Sequence, residues 1–181
     1  MTTRSTGLAR TVPAIAAVFA AAATLIAAAP AAPDLSAQRA RGRYLVAIAN
    51  CTDCHTPGHF LGAPDTKRFL AGSEVGFEIP GLGVFHGPNL TPDRETGLGS
   101  WTEAQIATAL RTGVRPDGRI LAPAMPWAGF ASLTPADALA IAAYLKSLPA
   151  VRNAVPAPTG PGEAPRSYVM RVVPPTQSAA R

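Results

Sequence analysis

The sequence predicts an all-α fold with three main helices joined by long loops. Apolar residues recur at helical spacing in three stretches, near residues 36–50, 102–113 and 134–149, each with a start or stop signal. Residues 56–100 are rich in Gly and Pro and show little periodicity. Within them, residues 77–79 and 84–86 suggest a short hairpin. A loop of this length needs something to pack upon, so we expect a buried group inside it.

Residues 1–37 resemble a targeting segment. Two arginines precede an apolar, Ala-rich stretch at residues 12–29, and small residues follow it. Cleavage after Ala31 or after Ala37 fits the spacing of these small residues. The alternative is an uncleaved N-terminal anchor, because the apolar stretch approaches the roughly 20 residues that a bilayer requires. We therefore expect an exported protein, attached to a membrane only if this segment is retained.

The first helix is predicted from Ser36, a suitable N-cap, to Asn50, with Leu45 and Ile48 on its apolar face. Gly42 inside it costs about 1 kcal/mol of helix stability relative to Ala, which suggests that another helix approaches closely there.

The other two helices have clear start signals. Thr102 with Gln105 forms a possible capping box, with Ser100 and Glu103 as the alternative pair, and Gly113 ends that helix.

Thr134 is the expected N-cap of the last helix, Pro135 its first residue and Pro149 its stop. These elements predict a domain at residues 38–150. A Pro-rich extended tail at residues 151–181 follows, in which 167–173 form a strand or the whole tail is disordered.

The run Cys51-Thr52-Asp53-Cys54-His55 has the C-x-x-C-H spacing by which a c-type haem is attached. Two thiols on one turn of chain reach the two vinyl groups of one porphyrin and form thioethers. The adjacent His55 then becomes the first axial ligand of the iron. One such motif predicts one covalently bound haem c, around which the loops wrap.

Met125 is the main candidate for the second axial ligand, because flanking prolines in Pro123-Ala124-Met125-Pro126 hold the thioether rigidly. Its alternative role is to fill the core. The competing ligands are His86 and His59, of which His59 stands only four residues beyond His55 and would have difficulty reaching the opposite face.

Three other classes of site are possible. A haem enzyme or gas sensor would have a displaceable sixth ligand. A structural zinc site would use Cys51, Cys54, His59 and His86. A thiol oxidoreductase would use the C-x-x-C pair, although the β-α-β pattern of that fold is missing from the sequence. A nucleic-acid partner is not expected, since the net charge of +5 comes from scattered arginines with few aromatic residues.

Between about residues 42 and 149 the chain resembles a class I cytochrome c domain of the kind found in cytochrome subunits of periplasmic alcohol, aldehyde and gluconate dehydrogenases. The matching segments are Cys51 to His55, Gly87 to Asp93, Thr96-Gly97 with Trp101-Thr102, Asp117 to Arg119, Pro123 to Pro126 and Leu133 to Leu145.

The resemblance implies roles for further residues. The carbonyl of Pro88 would accept a hydrogen bond from the imidazole of His55, although some thirty residues separate the two, so an insertion must loop out. Trp101 would donate its indole N–H to a haem propionate, or pack in the core. Asn89 and Arg119 are further propionate candidates, and a solvated Arg119 is the alternative.

The resemblance also implies a periplasmic electron carrier rather than an enzyme. Iron held by His55 and Met125 would have no open position and would cycle between Fe(II) and Fe(III). The expected partners are proteins: a dehydrogenase as electron donor, and an oxidase or another cytochrome as acceptor.

Overall fold

The computed structural model describes residues 1–3 and 34–174. The chain divides into two compact units, Met1–Ala32 and Pro33–Arg181. The predicted targeting segment lies almost entirely outside the described residues. Among the residues that are described, no helix is long and apolar enough to cross a membrane.

Helix α1 spans Leu35–Ile48, and its N-cap is Asp34 rather than the predicted Ser36. The Asp34 carboxylate accepts hydrogen bonds from the backbone N–H groups of Ser36 and Ala37. Both residue types cap helices well, so the local pattern alone did not decide between them. Asn50 then adopts a left-handed conformation, with φ of 50°, and separates α1 from the short helix α2, Cys51–His55.

Helix α5, Pro135–Ser147, packs across α1 at Gly42. A β-carbon on Gly42 would overlap the carbonyl oxygen of Ala140, which confirms the predicted close approach. The cap of α5 is also as predicted, because the Thr134 hydroxyl accepts from the N–H of Asp137. The core around this crossing consists of Leu45, Val46, Leu70, Leu98, Ile106, Ile141, Ala142 and Leu145.

Helix α3, Glu103–Thr112, also packs on α5. Its capping box uses Thr102 and Gln105, the first of the two predicted pairs, and Gly113 ends it with φ of 72°. A further short helix, α4, spans Trp127–Phe130.

The prediction of an all-α fold with three main helices is not confirmed in this detail, because the described residues form five helices, of which α1, α3 and α5 are the long ones, and a small sheet. Residues 56–100 contain two 3-10 turns, His59–Leu61 and Thr66–Arg68, and the suggested hairpin. Its strands are β1, Val75–Ile79, and β2, Gly83–His86, paired antiparallel with Phe77 opposite Phe85. This hairpin is part of the long segment that leads from His55 to Pro88.

The third strand comes from the C-terminal region. Strand β3, Tyr168–Met170, lies parallel to β1 and gives the sheet order β2-β1-β3, so a strand does form within residues 167–173. Upstream of it, Thr159 forms an antiparallel bridge with Val84 on the other edge of the hairpin. Residues 150–171, which we call the C-terminal strap, therefore contact both edges of the hairpin.

Candidate functional site

His55 ends helix α2 and is only 4% exposed. Its Nδ1 lies 2.8 Å from the carbonyl oxygen of Pro88. A carbonyl can only accept, so Nδ1 carries the proton and donates it. Burial lowers the pKa of His55, which keeps the imidazole neutral at pH 7. Nε2 then has a lone pair, and within the described part of the chain it makes no hydrogen bond.

Gly87 allows the approach of Pro88 to His55. A β-carbon at this position would overlap the carbonyl oxygen of Cys54 and lie 3.4 Å from Nδ1 of His55. The segment between His55 and Pro88 is bound back at the same place, because Ser73 N–H donates to the Gly87 carbonyl and Gly72 N–H donates to the His55 carbonyl. Segments distant in sequence thus fix both partners of the His55–Pro88 bond.

The thiols of Cys51 and Cys54 are half-buried and form no disulfide. Burial raises the pKa of Cys51 to about 11 and also raises that of Cys54, with the carboxylate of Asp53 as a secondary cause. A redox-active C-x-x-C pair instead needs a lowered thiol pKa. The raised pKa values disfavour the thiolate form that thiol–disulfide exchange requires.

Met125 lies, half-buried, in a tight turn before α4. Its N–H donates to the Ala122 carbonyl, and its own carbonyl accepts from Trp127 N–H. The indole of Trp127 packs on the end of α3, where a β-carbon on Gly113 would come within 2.7 Å of Cε2. The turn that carries the thioether is therefore anchored to α3 by an aromatic side chain.

Trp101 packs against the core, which is one of the two roles expected of its side chain. The side chain lies against the core cluster, and the guanidinium of Arg115 lies 5.3 Å from the ring centroid. The indole N–H donates to no residue in the described ranges. Arg119, by contrast, is exposed, with its backbone N–H bonded to Asp117.

Asn89 is buried and uses its whole side-chain amide inside the protein. Oδ1 accepts from the N–H and the hydroxyl of Thr91, and Nδ2 donates to the hydroxyl of Thr96 and the carbonyl of Val151. A primary amide has two donor hydrogens and two acceptor sites, and all four are used. The expectation that Asn89 binds a propionate directly is not supported by this geometry.

The other two histidines are engaged elsewhere. His59 Nε2 lies 3.4 Å from the Asp53 carboxylate, and His86 Nε2 lies 2.7 Å from the Ser167 hydroxyl. Across residues 1–3 and 34–174, no three His, Cys, Asp or Glu side chains come together in a group that could hold a metal ion. The zinc alternative is thus not supported.

The model of the family described as "Cytochrome c" matches residues 39–149. The chain belongs to the cytochrome c family. Family membership implies haem as the cofactor of this domain, and the donor set of imidazole, thioether and two thiols suits a covalently attached haem. The lone pair on Nε2 of His55 is a further feature that fits this group.

Several relatives of this chain are subunits of dehydrogenases. It is 38% identical to a subunit of the nicotinate dehydrogenase of Pseudomonas putida, over 65% of this chain and 9% of the relative. It is 37% identical to the fructose dehydrogenase cytochrome subunit of Gluconobacter japonicus, over 61% and 22%. It is 38% identical to the alcohol dehydrogenase (quinone) cytochrome c subunit of Gluconobacter oxydans, over 58% and 20%. The chain thus spans less than a quarter of each of these relatives.

Sequence reasoning missed two residues that position the site. Lys146 on α5 donates to the carbonyls of Leu98, Gly99 and Trp101, and so holds the loop before α3. Trp127 anchors the Met125 turn. For Trp127 the signal was present, since a large aromatic residue stands two positions after Met125. For Lys146 no local signal exists, because its partners lie 45 to 48 residues away.

Proposed function

We propose that this chain is a one-electron carrier that holds one haem c through thioether bonds to Cys51 and Cys54. His55 and Met125 are the axial ligands. The observation that carries the proposal is the 2.8 Å hydrogen bond from His55 Nδ1 to the Pro88 carbonyl, which leaves Nε2 to bind iron. The bound haem would supply a one-electron Fe(II)/Fe(III) couple.

The residues around the site each have a task. Pro88 orients the imidazole and increases its donor strength through the hydrogen bond. Met125, held in its anchored turn, closes the sixth position and raises the reduction potential. With both axial positions filled by side chains, substrate has no open coordination site, which favours electron transfer over a haem enzyme or gas sensor.

Trp101 and Arg115 are the residues proposed to bind the propionates. The indole N–H is a donor without a partner in the described part of the chain, and the guanidinium beside the ring carries a positive charge. Arg115 also forms an ion pair with Asp117 at 3.3 Å. The carboxylate offsets part of the positive charge, while the other N–H groups of the guanidinium can still donate to a propionate.

The partners are proposed from the relatives, several of which are cytochrome subunits of dehydrogenases. A dehydrogenase would donate electrons, and an oxidase or another cytochrome would accept them in the periplasm. The N-terminal segment would act as export signal or anchor. Since α1 begins at Leu35, cleavage after Ala31 would leave this helix whole, whereas cleavage after Ala37 would remove its first turn.

The test measures haem that stays on the chain in a denaturing gel, together with the haem-to-protein ratio. We expect a ratio of one for the wild type, and a strong loss of retained haem in Cys51→Ala and Cys54→Ala. Thr52→Ala, on the same helix between them, is the control and should retain haem. A wild-type protein without covalently retained haem, or a Cys51→Ala variant with full retention, would contradict the proposal.

A further inference from the structure

We propose that the C-terminal strap braces the proximal side of the haem, and that Asn89 and Thr91 are positioning residues that connect the strap to the axial His55. The inference rests on the proposed function in one respect, namely that His55 binds the iron. It assigns a role in tuning that iron to a Pro-rich segment that follows the helical domain.

The first connection runs from Pro88 to the strap through buried and partly buried hydrogen bonds. Asn89, directly after Pro88, is 1% exposed, and its Nδ2 donates to the Val151 carbonyl at 2.7 Å. The Thr91 hydroxyl donates to Asn89 Oδ1 at 2.8 Å and accepts from Val151 N–H at 3.1 Å. Both backbone groups of Val151 are therefore bound to the segment that carries the Pro88 carbonyl.

The second connection runs through Thr96. Its hydroxyl accepts from Asn89 Nδ2 at 2.9 Å and from Asn153 N–H at 3.0 Å, and donates to the Asp93 carboxylate at 2.7 Å. This turn thus binds the strap at a second residue, two positions after Val151.

The third connection reaches His55 from its other side. The Asn153 amide donates to the Ala71 carbonyl at 2.8 Å. The neighbouring Gly72 N–H donates to the carbonyl of His55 at 2.8 Å. The two residues of the His55–Pro88 hydrogen bond are therefore both linked to the strap through short, mostly partly buried hydrogen bonds.

The C-terminal half of the strap holds the strand that leads to the His55–Pro88 hydrogen bond. Thr159 exchanges backbone hydrogen bonds with Val84, and Ser167 contacts His86 at 2.7 Å. His86 ends β2 and is followed at once by Gly87 and Pro88. The strap thus restrains the acceptor segment from both ends.

The consequence for the iron follows from the chemistry of the bond. A short hydrogen bond from Nδ1 makes the imidazole a stronger donor and so favours the ferric state. If the Pro88 carbonyl gains freedom, that donation weakens and the midpoint potential rises. A segment that contributes no ligand therefore sets part of the potential.

The test compares Thr91→Val with Thr91→Ser in the full-length, haem-loaded protein. Valine keeps the shape of threonine, so no cavity forms, but it removes the hydroxyl that binds Asn89 and Val151. Serine keeps that hydroxyl. In Thr91→Val we expect a higher midpoint potential and about tenfold faster hydrogen exchange of the His55 Nδ1–H, followed by NMR of the reduced protein. Thr91→Ser should match the wild type in both.

Thr134→Ala, which loses the α5 cap far from the strap, controls for stability and should leave the potential unchanged. If the strap has a purely structural role, Thr91→Val lowers the unfolding free energy and leaves the midpoint potential and the hydrogen-exchange rate unchanged. That result would overturn this inference and leave the proposed function intact. A wild type that retains no haem would instead overturn the proposed function, and the tuning role of the strap with it.

Discussion

Gly87 lies so close to the carbonyl oxygen of Cys54 that no side chain fits between the end of β2 and helix α2. In Gly87→Ala we expect these two segments to separate, because the new β-carbon meets backbone that cannot rotate away. The His55–Pro88 bond should break, with a loss of about 2–4 kcal/mol of unfolding free energy. Thermal unfolding and haem content measure the effect. Gly129→Ala, in open space, should be neutral, and equal behaviour of the two variants would refute the prediction.

Met125→Ala removes the proposed sixth ligand, so it should open that coordination position and lower the reduction potential, since a thioether favours the ferrous state. The thioether-to-iron charge-transfer band should disappear, and the reduced protein should bind carbon monoxide. Met170→Ala, on the partly exposed strand β3, supplies the same substitution without the ligand role. Unchanged spectra in Met125→Ala would show that another residue ligates the iron.

Trp127→Ala should loosen the Met125 turn, because the indole packed on Gly113 anchors it to α3. The measurable result is about tenfold tighter binding of added imidazole to the ferric protein, as displacement of the thioether becomes easier. Trp127→Phe keeps an aromatic ring at this contact and should lie close to the wild type. Equal imidazole affinity in the wild type and Trp127→Ala would count against the anchor.

Lys146→Met should lower the unfolding free energy by about 2–3 kcal/mol, because three half-buried carbonyls lose a charged donor. Lys67→Met is the matched control, since that side chain is exposed. Chemical denaturation measures both. The loop that Lys146 holds includes Trp101, so the environment of this indole should also change in fluorescence. Equal unfolding free energies of the two variants would contradict this stabilising role of Lys146.

In Asp93→Asn, the free energy of unfolding should fall less steeply at acid pH than in the wild type. The hydroxyl and N–H of Thr96 donate to the Asp93 carboxylate and hold its pKa below the usual value. Because the pKa of Asp93 is lowered in the folded state, its ionised carboxylate stabilises the fold above about pH 4. This stabilisation is lost as the pH falls through the pKa of the folded state. Unfolding free energies between about pH 6 and 3 test this. Parallel wild-type and variant curves would exclude the contribution.

The sequence predicted what depends on neighbours along the chain. Thr102, Gly113 and Thr134 mark helix ends through bonds to residues three or four positions away, so their roles are visible in the local pattern. The close crossing at Gly42 was also predictable, because a glycine inside a helix needs a packing reason.

The features that the sequence did not predict depend on contacts between residues that are distant along the chain. Asn89 was expected at a propionate, but its amide binds Thr96 and Val151, the latter 62 residues away. The parallel pairing of β1 with β3 joins residues more than ninety positions apart, for which the alternation at 167–173 gives a strand but no partner. Propensity and spacing specify an element, whereas its neighbours are decided by the packing of the whole chain.

The strap has a consequence for the order in which the domain assembles. The cysteines and His55 lie within five residues of each other, so contacts with the rest of the chain are not needed to bring them together. The hydrogen bonds that connect the strap to the proximal side join residues 57 to 82 positions apart, and such contacts form late because their loops are costly to close. The proposed attachment of haem can therefore take place on an open chain, before the C-terminal segment closes.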